Sequence, residues 1–330
     1  MNEPNPSHPT HHARTLVFLA FAVIYVVWGS TYLAIRVVVE TMPPFLSAAA
    51  RFLVAGVVLL AFLVWRGMRL PTRMEWKSAA VTGLLLLAGG NGGVVWAEKS
   101  ISSGLAALLV ALAPIWFALL EWMRPGGKRP EFKTVVGIAI GFAGVILLVK
   151  GRSAADSNGG SLMASLAVVV AGISWAAGSL YSKHVGKVGS PWTNAAAQMI
   201  CGGTGLLLLS VLVGEPQHFA WSAISSRSII ALAYLVVFGS WLGFSTYVWL
   251  LRVSTPSKVS TYAYVNPVIA VFLGWLVLGE TVSGRMLAGA LVVVAGVVAI
   301  TMPSSFVADL ASRFASRAER RSFATCPDRD

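Results

Sequence analysis

The side chains of this chain best suited to hold a small molecule are aromatic and polar residues that recur at helical spacing. One set is Tyr25, Trp28, Tyr32 and Arg36, and a second is Trp175, Ser179 and Lys183. Steps of three or four positions place each set on one face of a helix. Such a face predicts a cavity for an amphipathic or aromatic molecule, whereas anchoring at a membrane interface is the simpler alternative. Because Trp28 and Trp175 lie well inside apolar segments, cavity lining is favoured.

Asn91 lies in a glycine cluster, Gly89 to Gly93, and Trp96 follows in the same apolar segment. Glycines weaken a helix and allow either close helix contact or exposure of backbone groups. Interrupted helices at membrane depth are typical of transporter binding sites. Two interpretations are open: Asn91 binds a polar group of a ligand, or it bonds to a neighbouring helix in tight packing. Asn91 and Trp96 are both candidate ligand contacts.

Pro114 and Pro267 occupy equivalent positions, each in the middle of an apolar segment. A proline there removes a backbone hydrogen bond and clashes with the preceding turn, so a kink or hinge is predicted at both. Around the second proline, Tyr264 and Asn266 add polar groups close to carbonyls that the kink leaves unpaired. We expect Tyr264 to face the pathway and Asn266 to bind polar groups.

Arg51 is an ionisable residue within an apolar segment, seven residues after Pro44 and so about 10 Å along a helix. Ionisable groups inside a bilayer are functional candidates by default. Arg51 is a candidate to hold the carboxylate of a ligand or to stabilise the mouth of a pathway. The alternative is that its long side chain reaches back to the membrane surface.

The acidic residues near helix ends predict little coupling chemistry. Glu98 and Glu121 are expected to pair with a nearby cation, Lys99 or Arg124. No carboxylate or histidine stands at mid-membrane as an obvious proton relay, which favours facilitated flux or loosely coupled antiport. Proton coupling stays open, because a cytoplasmic cavity could reach Glu121.

Composition places the chain in a membrane. Hydrophobic residues make up 56% and charged residues 12%, and the mean hydropathy is +0.75, whereas about a quarter of a soluble domain is charged. The net charge of +12 does not indicate nucleic-acid binding, because Lys and Arg lie in short segments between apolar runs. The two cysteines, Cys201 and Cys326, cannot form a metal site. Neither a metal nor a cofactor is predicted.

Ten apolar segments have the length of membrane helices. They cover about 16–36, 45–65, 78–97, 104–123, 133–150, 162–182, 192–213, 228–250, 258–279 and 284–302. Only helices or closed barrels satisfy backbone groups in lipid, and runs of this length without alternation indicate helices. The first run has no evident small-residue cleavage site, so we interpret it as a retained helix rather than a signal peptide. The predicted fold class is an all-α integral membrane protein.

The sequence contains two copies of one unit. Trp28 and Trp175, Arg36 and Lys183, Pro44 and Pro191, and Gly56 and Gly203 are each 147 positions apart. Arg51 corresponds to Gln198, so a role for that charge belongs to one copy only. The predicted divisions are a tail at 1–15, a five-helix repeat at 16–150, a linker at 151–161, a second five-helix repeat at 162–302 and a basic tail at 303–330.

Positive charges set the expected orientation. With the N-terminus in the cytoplasm, the cytoplasmic segments hold 18 Lys and Arg residues and the outer segments hold six. This bias places both termini in the cytoplasm. Five helices per copy is an odd number, so the second copy crosses the membrane in the opposite sense. An inverted repeat is typical of secondary transporters, whose substrate site lies near the midplane between the halves.

Several motifs, in order, resemble the EamA type of the drug/metabolite transporter superfamily, and within it the YedA-like exporters. The motifs are Trp28-Gly29-Ser30-Thr31-Tyr32, Pro43-Pro44 with Arg51-Phe52, Gly90-Asn91-Gly92, Ala97-Glu98, Ile173-Ser174-Trp175-Ala176 with Gly178-Ser179, Tyr262-Ala263-Tyr264-Val265-Asn266-Pro267, and Gly279-Glu280-Thr281. The resemblance covers about 16–302. It implies ten helices in two inverted repeats and export of small metabolites, such as amino acids or drugs, across a bacterial inner membrane. One departure is that no glutamate in the first copy corresponds to Glu280, where Gly127 stands instead.

The predicted function is export of small amphipathic metabolites through the lipid bilayer by alternating access, with no nucleic-acid partner. The candidate substrate contacts are Trp28, Tyr32, Arg51, Asn91, Trp96, Trp175, Tyr264 and Asn266, with Pro114 and Pro267 as hinges. The alternatives are a facilitative or importing permease of the same fold and, more distantly, an intramembrane enzyme or a membrane scaffold. An enzyme would need a catalytic set at depth, and the only histidine in the apolar segments is His184, at a helix end. The oligomeric state is not predicted.

Overall fold

The described part of the chain folds into helices. A computed structural model describes residues 11–124, 126, 127, 129, 132–150, 160–184, 189–217 and 219–301. The predicted basic tail at 303–330, most of the predicted linker at 151–161 and most of the predicted tail at 1–15 lie outside these residues. Within them, the longer elements are twelve helices, and two 3₁₀ turns lie at Glu215–Gln217 and Trp221–Ala223.

The helices are numbered in chain order. They are α1 (His11–Val38), α2 (Pro44–Trp65), α3 (Arg73–Ala97), α4 (Ser103–Val110), α5 (Ala113–Met123), α6 (Phe132–Lys150), α7 (Gly160–His184), α8 (Pro191–Val213), α9 (Ser226–Val253), α10 (Pro256–Val259), α11 (Tyr262–Leu278) and α12 (Gly284–Thr301). In the repeat, α1 to α3 correspond to α7 to α9. The broken helix α4–α5 corresponds to α10–α11, and α6 corresponds to α12.

The apolar stretches match a protein that crosses a membrane many times. Seven of them are long enough to span a bilayer, among them α2, α8 and the continuous stretch Ser103–Met123 that contains α4 and α5. Three shorter apolar stretches, Thr134–Gly144, Val265–Leu278 and Gly284–Gly296, lie in α6, α11 and α12. The prediction of an all-α integral membrane protein is confirmed.

Local chemistry explains where the second helix of each copy begins. Pro44 and Pro191 are the first residues of α2 and α8, where the missing N–H of proline has no helical partner to lose. Ser190 precedes α8 and accepts a hydrogen bond from a backbone N–H of the first turn. α2 is capped from the other copy, because Glu215 accepts hydrogen bonds from the backbone N–H groups of residues 45 and 46 at 3.1 and 2.8 Å.

The third helix of each copy is widened rather than broken. α3 contains a π-helical stretch at Leu84–Asn91, and α9 contains one at Leu235–Phe244. π turns inside α-helices shift the side chains that follow onto a new face and are frequent at functional sites. The two stretches end at equivalent residues, 91 and 244. The interruption predicted from the glycine cluster is therefore a change of helix type.

The two prolines proposed as hinges differ in position. α4 ends at Val110, residues 111 and 112 form a turn, and Pro114 is the second residue of α5. The prediction of a mid-helix position was wrong for Pro114, because a proline in the first turn of a helix starts it without a kink. Pro267 lies inside α11, as predicted. In the second copy the break falls at residues 260 and 261, about one turn earlier.

Glycines at equivalent positions show how the copies meet. A Cβ built on Gly56 of α2 would lie 2.8 Å from Ile200 Cγ1 and 2.9 Å from its backbone nitrogen. A Cβ on Gly203 of α8 would lie 2.9 Å from the backbone nitrogen of Leu53. Because residue 53 corresponds to 200 and residue 56 to 203, the contact is reciprocal, as across a two-fold axis. Leu53 meets Gly203, and Gly56 meets Ile200, so α2 and α8 run antiparallel.

The last helices of the two copies repeat this relationship. A Cβ on Gly144 of α6 would lie 2.8 Å from the backbone nitrogen of Val293, and one on Gly296 of α12 would lie 2.5 Å from that of Gly141. These pairs also correspond across the repeat, since 141 and 144 lie 152 positions before 293 and 296. Two pairs of counterpart helices thus pack backbone to backbone, which is possible only where glycine carries no side chain.

Candidate functional site

A central cavity lies where helices of both copies converge. The empty space there, including the part open to solvent, is about 690 Å³. The lining side chains and backbone come from Trp28, Thr31, Tyr32, Ile35, Arg51, Phe52, Leu87, Gly90, Asn91, Val94, Val110, Ala113, Ala171, Gly172, Trp175, Gly239, Phe244, Tyr262 and Asn266. Six of the eight predicted contacts are in this set, although they come from five different helices.

Four aromatic rings form one wall of the cavity and the layer behind it. The ring of Trp28 lies 5.5 Å from that of Trp175, 4.9 Å from that of Tyr247 and 5.1 Å from that of Tyr262, measured between centroids. The first and third pairs are edge to face, at 83° and 86°, a geometry favoured by the ring quadrupoles. We call Trp28, Trp175, Tyr247 and Tyr262 the aromatic cluster.

Hydrogen bonds orient the aromatic cluster. The indole N–H of Trp175 donates to the Tyr247 hydroxyl at 3.0 Å, and that hydroxyl also lies 2.6 Å from Ser179 Oγ. The indole N–H of Trp28 donates to the backbone carbonyl of Gly239 at 3.4 Å. The polar ends of the rings are therefore engaged by protein, which leaves ring faces and edges for a ligand.

Arg51 enters the cavity from α2. Only 4% of its surface is exposed. Its Nε donates to Ser240 Oγ at 2.9 Å, and the guanidinium lies 4.6 Å from the centre of the Phe52 ring. The buried Nη1 has no hydrogen-bond partner in the described part of the chain. The alternative that Arg51 reaches the membrane surface is wrong, because the side chain points inward to α9.

Gln198, the counterpart of Arg51, has a different environment. It is buried on α8, and its backbone carbonyl packs against Gly83 of α3. It does not line the central cavity, and its two side-chain polar atoms have no partner among the described residues. The cationic group therefore breaks the symmetry of the site, as the sequence predicted.

Asn91 ends the π-helical stretch of α3, in a tightly packed segment that lines the cavity. The neighbouring glycines pack tightly: a Cβ on Gly90 would lie 3.0 Å from the ring of Trp175, and one on Gly93 would lie 2.9 Å from Ala171 Cβ. Asn91 itself lines the cavity, and its Oδ1 is buried without a hydrogen-bond partner in the described residues. Close glycine packing thus brings an unused acceptor to the cavity wall.

Asn266 is held by the backbone of two helices. With its amide nitrogen turned toward them, it donates to the carbonyls of Tyr25 at 3.1 Å and Tyr262 at 3.2 Å. The side chain is 2% exposed but still lines the cavity. Its donors therefore join α1 to α11, and its carbonyl oxygen is the part available to a ligand.

One of the predicted contacts, Trp96, is not in the cavity lining, and the prediction for Tyr264 is not tested. Trp96 is half-buried and packs against a core that includes Ala97 and Leu105. The backbone of Tyr264 lies in α11, but its side chain is outside the described part of the structure. The residues that sequence analysis missed are Tyr262, Tyr247 and Phe52. Tyr262 lies in the same motif as Tyr264, and sequence analysis selected Tyr264 instead.

Glu98 is the acidic residue for which sequence analysis was wrong. It is fully buried, and neither carboxylate oxygen has a hydrogen-bond partner among the described residues. Lys99 is exposed, and Arg36 donates to the backbone carbonyl of Glu98 rather than to its carboxylate. The prediction for Glu121 is confirmed, with a partly exposed pair to Arg124 at 4.0 Å.

Comparison with known proteins decides the family. The model of the EamA-like transporter family matches residues 15–150 and 162–302. The chain belongs to the EamA-like transporter family. It is a membrane transporter and not an enzyme, and the predicted family is confirmed.

Relatives of this EamA-like chain have transporter names. The uncharacterized inner membrane transporter YedA of Escherichia coli (strain K12) is 39% identical over 288 residues, which cover 87% of this chain and 90% of YedA. A probable amino-acid metabolite efflux pump of Salmonella typhimurium is 28% identical, over 84% of this chain and 92% of the pump. A solved crystal structure, 22% identical, aligns with a TM-score of 0.63 over 87% of this chain and 98% of its own. That last match shows a shared fold.

Proposed function

We propose that this protein exports small amphipathic metabolites with a carboxylate, amino acids foremost, through the central cavity. The observation that carries the proposal is a buried guanidinium, Arg51, beside aromatic walls supplied by both copies. Its Nη1 donor has no partner in the described residues. A buried charge without an ionic partner is costly, and a substrate carboxylate would remove that cost.

The second polar group of the cavity complements the first. Asn91 Oδ1 is an unused acceptor in the same cavity as the Arg51 donor. A zwitterionic amino acid presents a carboxylate, which accepts hydrogen bonds, and an ammonium, which donates them. One unpaired donor and one unpaired acceptor in a single cavity match that pair of groups.

The apolar walls favour substrates with an aromatic or aliphatic side chain. Trp28, Trp175, Tyr262 and Phe52 supply ring surface, and Ile35, Leu87, Val94 and Val110 supply aliphatic surface. Burial of an apolar side chain against these walls contributes roughly 25 cal/mol for each Å² removed from water. The polar pair orients the substrate, and the walls provide affinity for its side chain.

Alternating access follows from the relation between the copies. The repeats at 16–150 and 162–302 would exchange conformations, with the glycine contacts of α2 with α8 and α6 with α12 as close-packed pivots. Pro267, and the helix break just before Pro114, would serve as hinges. An inverted repeat closes a central site from one side while it opens the other.

The charge bias supports an orientation of the exporter in the membrane. It assigns the end of the bundle with Arg36, Glu98 and Glu280 to the outside, and both termini to the cytoplasm. The inner-membrane name of the YedA relative and the efflux name of the Salmonella typhimurium relative support a bacterial inner-membrane exporter.

Proteoliposomes that contain the full chain test the proposal. They are loaded with labelled aromatic and aliphatic amino acids, the amines that lack the carboxylate, and cationic drugs. We expect amino acids to leave faster than from protein-free liposomes, while the matching amines do not. R51Q should abolish the difference, and R285Q, which changes an exposed arginine at the start of α12, should retain it. The proposal is wrong if no panel member moves faster than through lipid alone.

A further inference from the structure

Glu98 is a buried carboxylate that the proposed substrate site does not use. It lies in the connection between the spans that end at residue 97 and begin at residue 103. None of its surface is exposed, and both carboxylate oxygens lack partners among the described residues. An ionised carboxylate in such a place would keep its desolvation cost without any compensating hydrogen bond. The geometry therefore favours the protonated form.

A neighbouring carboxylate shows the opposite environment. Glu280 caps the first turn of α4: its Oε1 accepts from the Ser103 backbone N–H at 2.9 Å, and its Oε2 accepts from Ser103 Oγ at 3.0 Å and Gly104 N–H at 3.4 Å. Three donors at a helix N-terminus stabilise a negative charge. Two acidic groups at one end of the bundle thus have opposite hydrogen-bond environments.

Glu98 itself lines neither of two nearby spaces, but residues close to it line both. The first space is the central cavity, whose lining residue Tyr32 lies near enough to Glu98 to interact with its charge. The second is a polar vestibule lined by Arg36, Ser102 and Glu280 among others, with about 760 Å³ of space that includes open solvent. Tyr32 and Arg36 are one helical turn apart on α1, so this single helix face joins the cavity to the vestibule.

Among the described residues, few charged groups surround Glu98. Burial and the nearby Glu280 raise the pKa of Glu98 well above its ordinary range, and Arg36 opposes the rise. Arg36 and Tyr32 face it from α1, and Glu280 faces it from the segment after α11. At the far wall of the vestibule, Arg227 lies 3.8 Å from Glu40, and Lys99 is exposed. A proton on Glu98 is thus favoured while the side chain stays buried.

We propose that Glu98 is the proton-binding group that couples export to a proton gradient. This inference rests on the proposed exporter function. When the vestibule is open, a proton from the outer solution binds one Glu98 carboxylate oxygen. When the cavity faces the cytoplasm, the O–H bond breaks and the proton passes to cavity water near Tyr32. One proton enters and one leaves, and no other bond changes.

Infrared spectroscopy tests proton binding without any substrate. The carbonyl band of a protonated carboxylic acid is titrated in reconstituted protein, from neutral to alkaline pH. We expect wild type to show this band at neutral pH, E98Q to lack it, and E121Q, a partly exposed control, to keep it. If E98Q does not fold, ¹³C-glutamate labelling shifts the band in wild type but not in E98D, where the acid is an unlabelled aspartate. A band that is absent from wild type at neutral pH, that persists in E98Q, or that shifts on labelling in E98D would overturn the proposal.

Transport tests coupling. Proteoliposomes are loaded with the labelled amino-acid panel and placed in a bath one pH unit more acid than the lumen. We expect wild-type and E121Q efflux to rise several-fold, up to about tenfold, over equal pH. E98Q should move substrate at a rate that does not respond to the gradient. Wild-type efflux that ignores the gradient would overturn the coupling. If no panel member moves, the exporter proposal fails, while the infrared titration still decides whether Glu98 holds a proton.

Discussion

Trp28 and Trp175 occupy equivalent positions in the two copies, and their rings meet edge to face at 5.5 Å. A residue that contacts its own counterpart must lie beside the axis that relates the copies. Both indoles line the central cavity, so a substrate that rests on them touches both halves at once. The distance between the two indoles would change if the halves moved relative to each other during alternating access.

Replacement of Trp28 should therefore damage both stability and transport. Trp28→Ala removes ring contacts with Trp175, Tyr247 and Tyr262, and we expect the free energy of unfolding to fall by about 3 kcal/mol. Trp28→Phe keeps a ring and should lose about 1 kcal/mol together with the hydrogen bond to Gly239. Thermal unfolding in detergent and the panel efflux assay measure the two effects. Trp192→Phe, at a partly exposed site in the first turn of α8, is the control, and equal losses in all three variants would contradict the prediction.

Arg51 should bind the substrate carboxylate through both its charge and its planar geometry. A charge-assisted hydrogen bond is worth about 1.5 to 3 kcal/mol, so R51Q should weaken amino-acid binding by roughly tenfold to a hundredfold. R51K keeps the charge but loses the planar fork that also binds Ser240, so an intermediate loss is expected. Competition binding with a labelled amino acid measures these affinities. Unchanged affinity in R51Q, with folding intact, would remove Arg51 from the site.

The glycine contacts of α2 and α8 should tolerate no side chain. In Gly56→Ala the new methyl group would meet the Ile200 backbone at 2.9 Å, which forces the helices apart. We expect a loss of about 1 to 3 kcal/mol in the free energy of unfolding. Gly284→Ala is the matched control, because a Cβ there meets nothing within 4 Å. Denaturation of both variants in the same detergent gives the comparison; similar midpoints would show that the contact is loose.

The caps that cross between copies should support stability rather than substrate choice. Glu215→Gln removes the negative charge that accepts from the first turn of α2, and we expect a loss of about 1 kcal/mol. Substrate selectivity across the panel should stay the same, since Glu215 does not line the central cavity. Glu40→Gln, at an exposed residue that lies 3.8 Å from Arg227, serves as the comparison. A changed substrate profile in Glu215→Gln would contradict this assignment.

Membrane orientation has a direct test. The excess of Lys and Arg in the proposed cytoplasmic segments predicts that both termini lie inside the cell. Alkaline phosphatase fused after residue 330 should be inactive, and a fluorescent protein at the same place should fluoresce. The opposite pair of results would invert the topology and place Glu98 at the cytoplasmic end.

Much of the architecture could be read from the chain itself. Apolar length and low charge predict membrane helices, because lipid offers no partner to backbone groups. The 147-residue spacing of Trp28 and Trp175 predicted equivalent positions, and Arg51 against Gln198 predicted an asymmetric charge. Pattern reasoning succeeded for these features because each depends on local spacing and on the transfer of side chains into lipid.

The remaining features depend on contacts between distant segments. In the π-helical stretch of α3, for example, the Leu85 carbonyl accepts a hydrogen bond from Ser174 Oγ, a residue of the other copy, at 2.7 Å. The sequence could not show that Tyr262 lines the cavity and Trp96 does not, because both are aromatic residues in apolar segments.

Glu98 is the clearest case of this division. The sequence places Glu98 at a helix end beside Lys99, and this position predicted a surface ion pair between them. In the folded protein its carboxylate is buried, and no described residue donates a hydrogen bond to it. Glu280, from the other copy, accepts the hydrogen bonds of the α4 N-terminus nearby. The protonation of a carboxylate depends on burial and on the donors within reach, and both are set by packing between the copies. The sequence alone determined the membrane helices and their repetition, whereas only the tertiary structure decided which polar groups are left without partners.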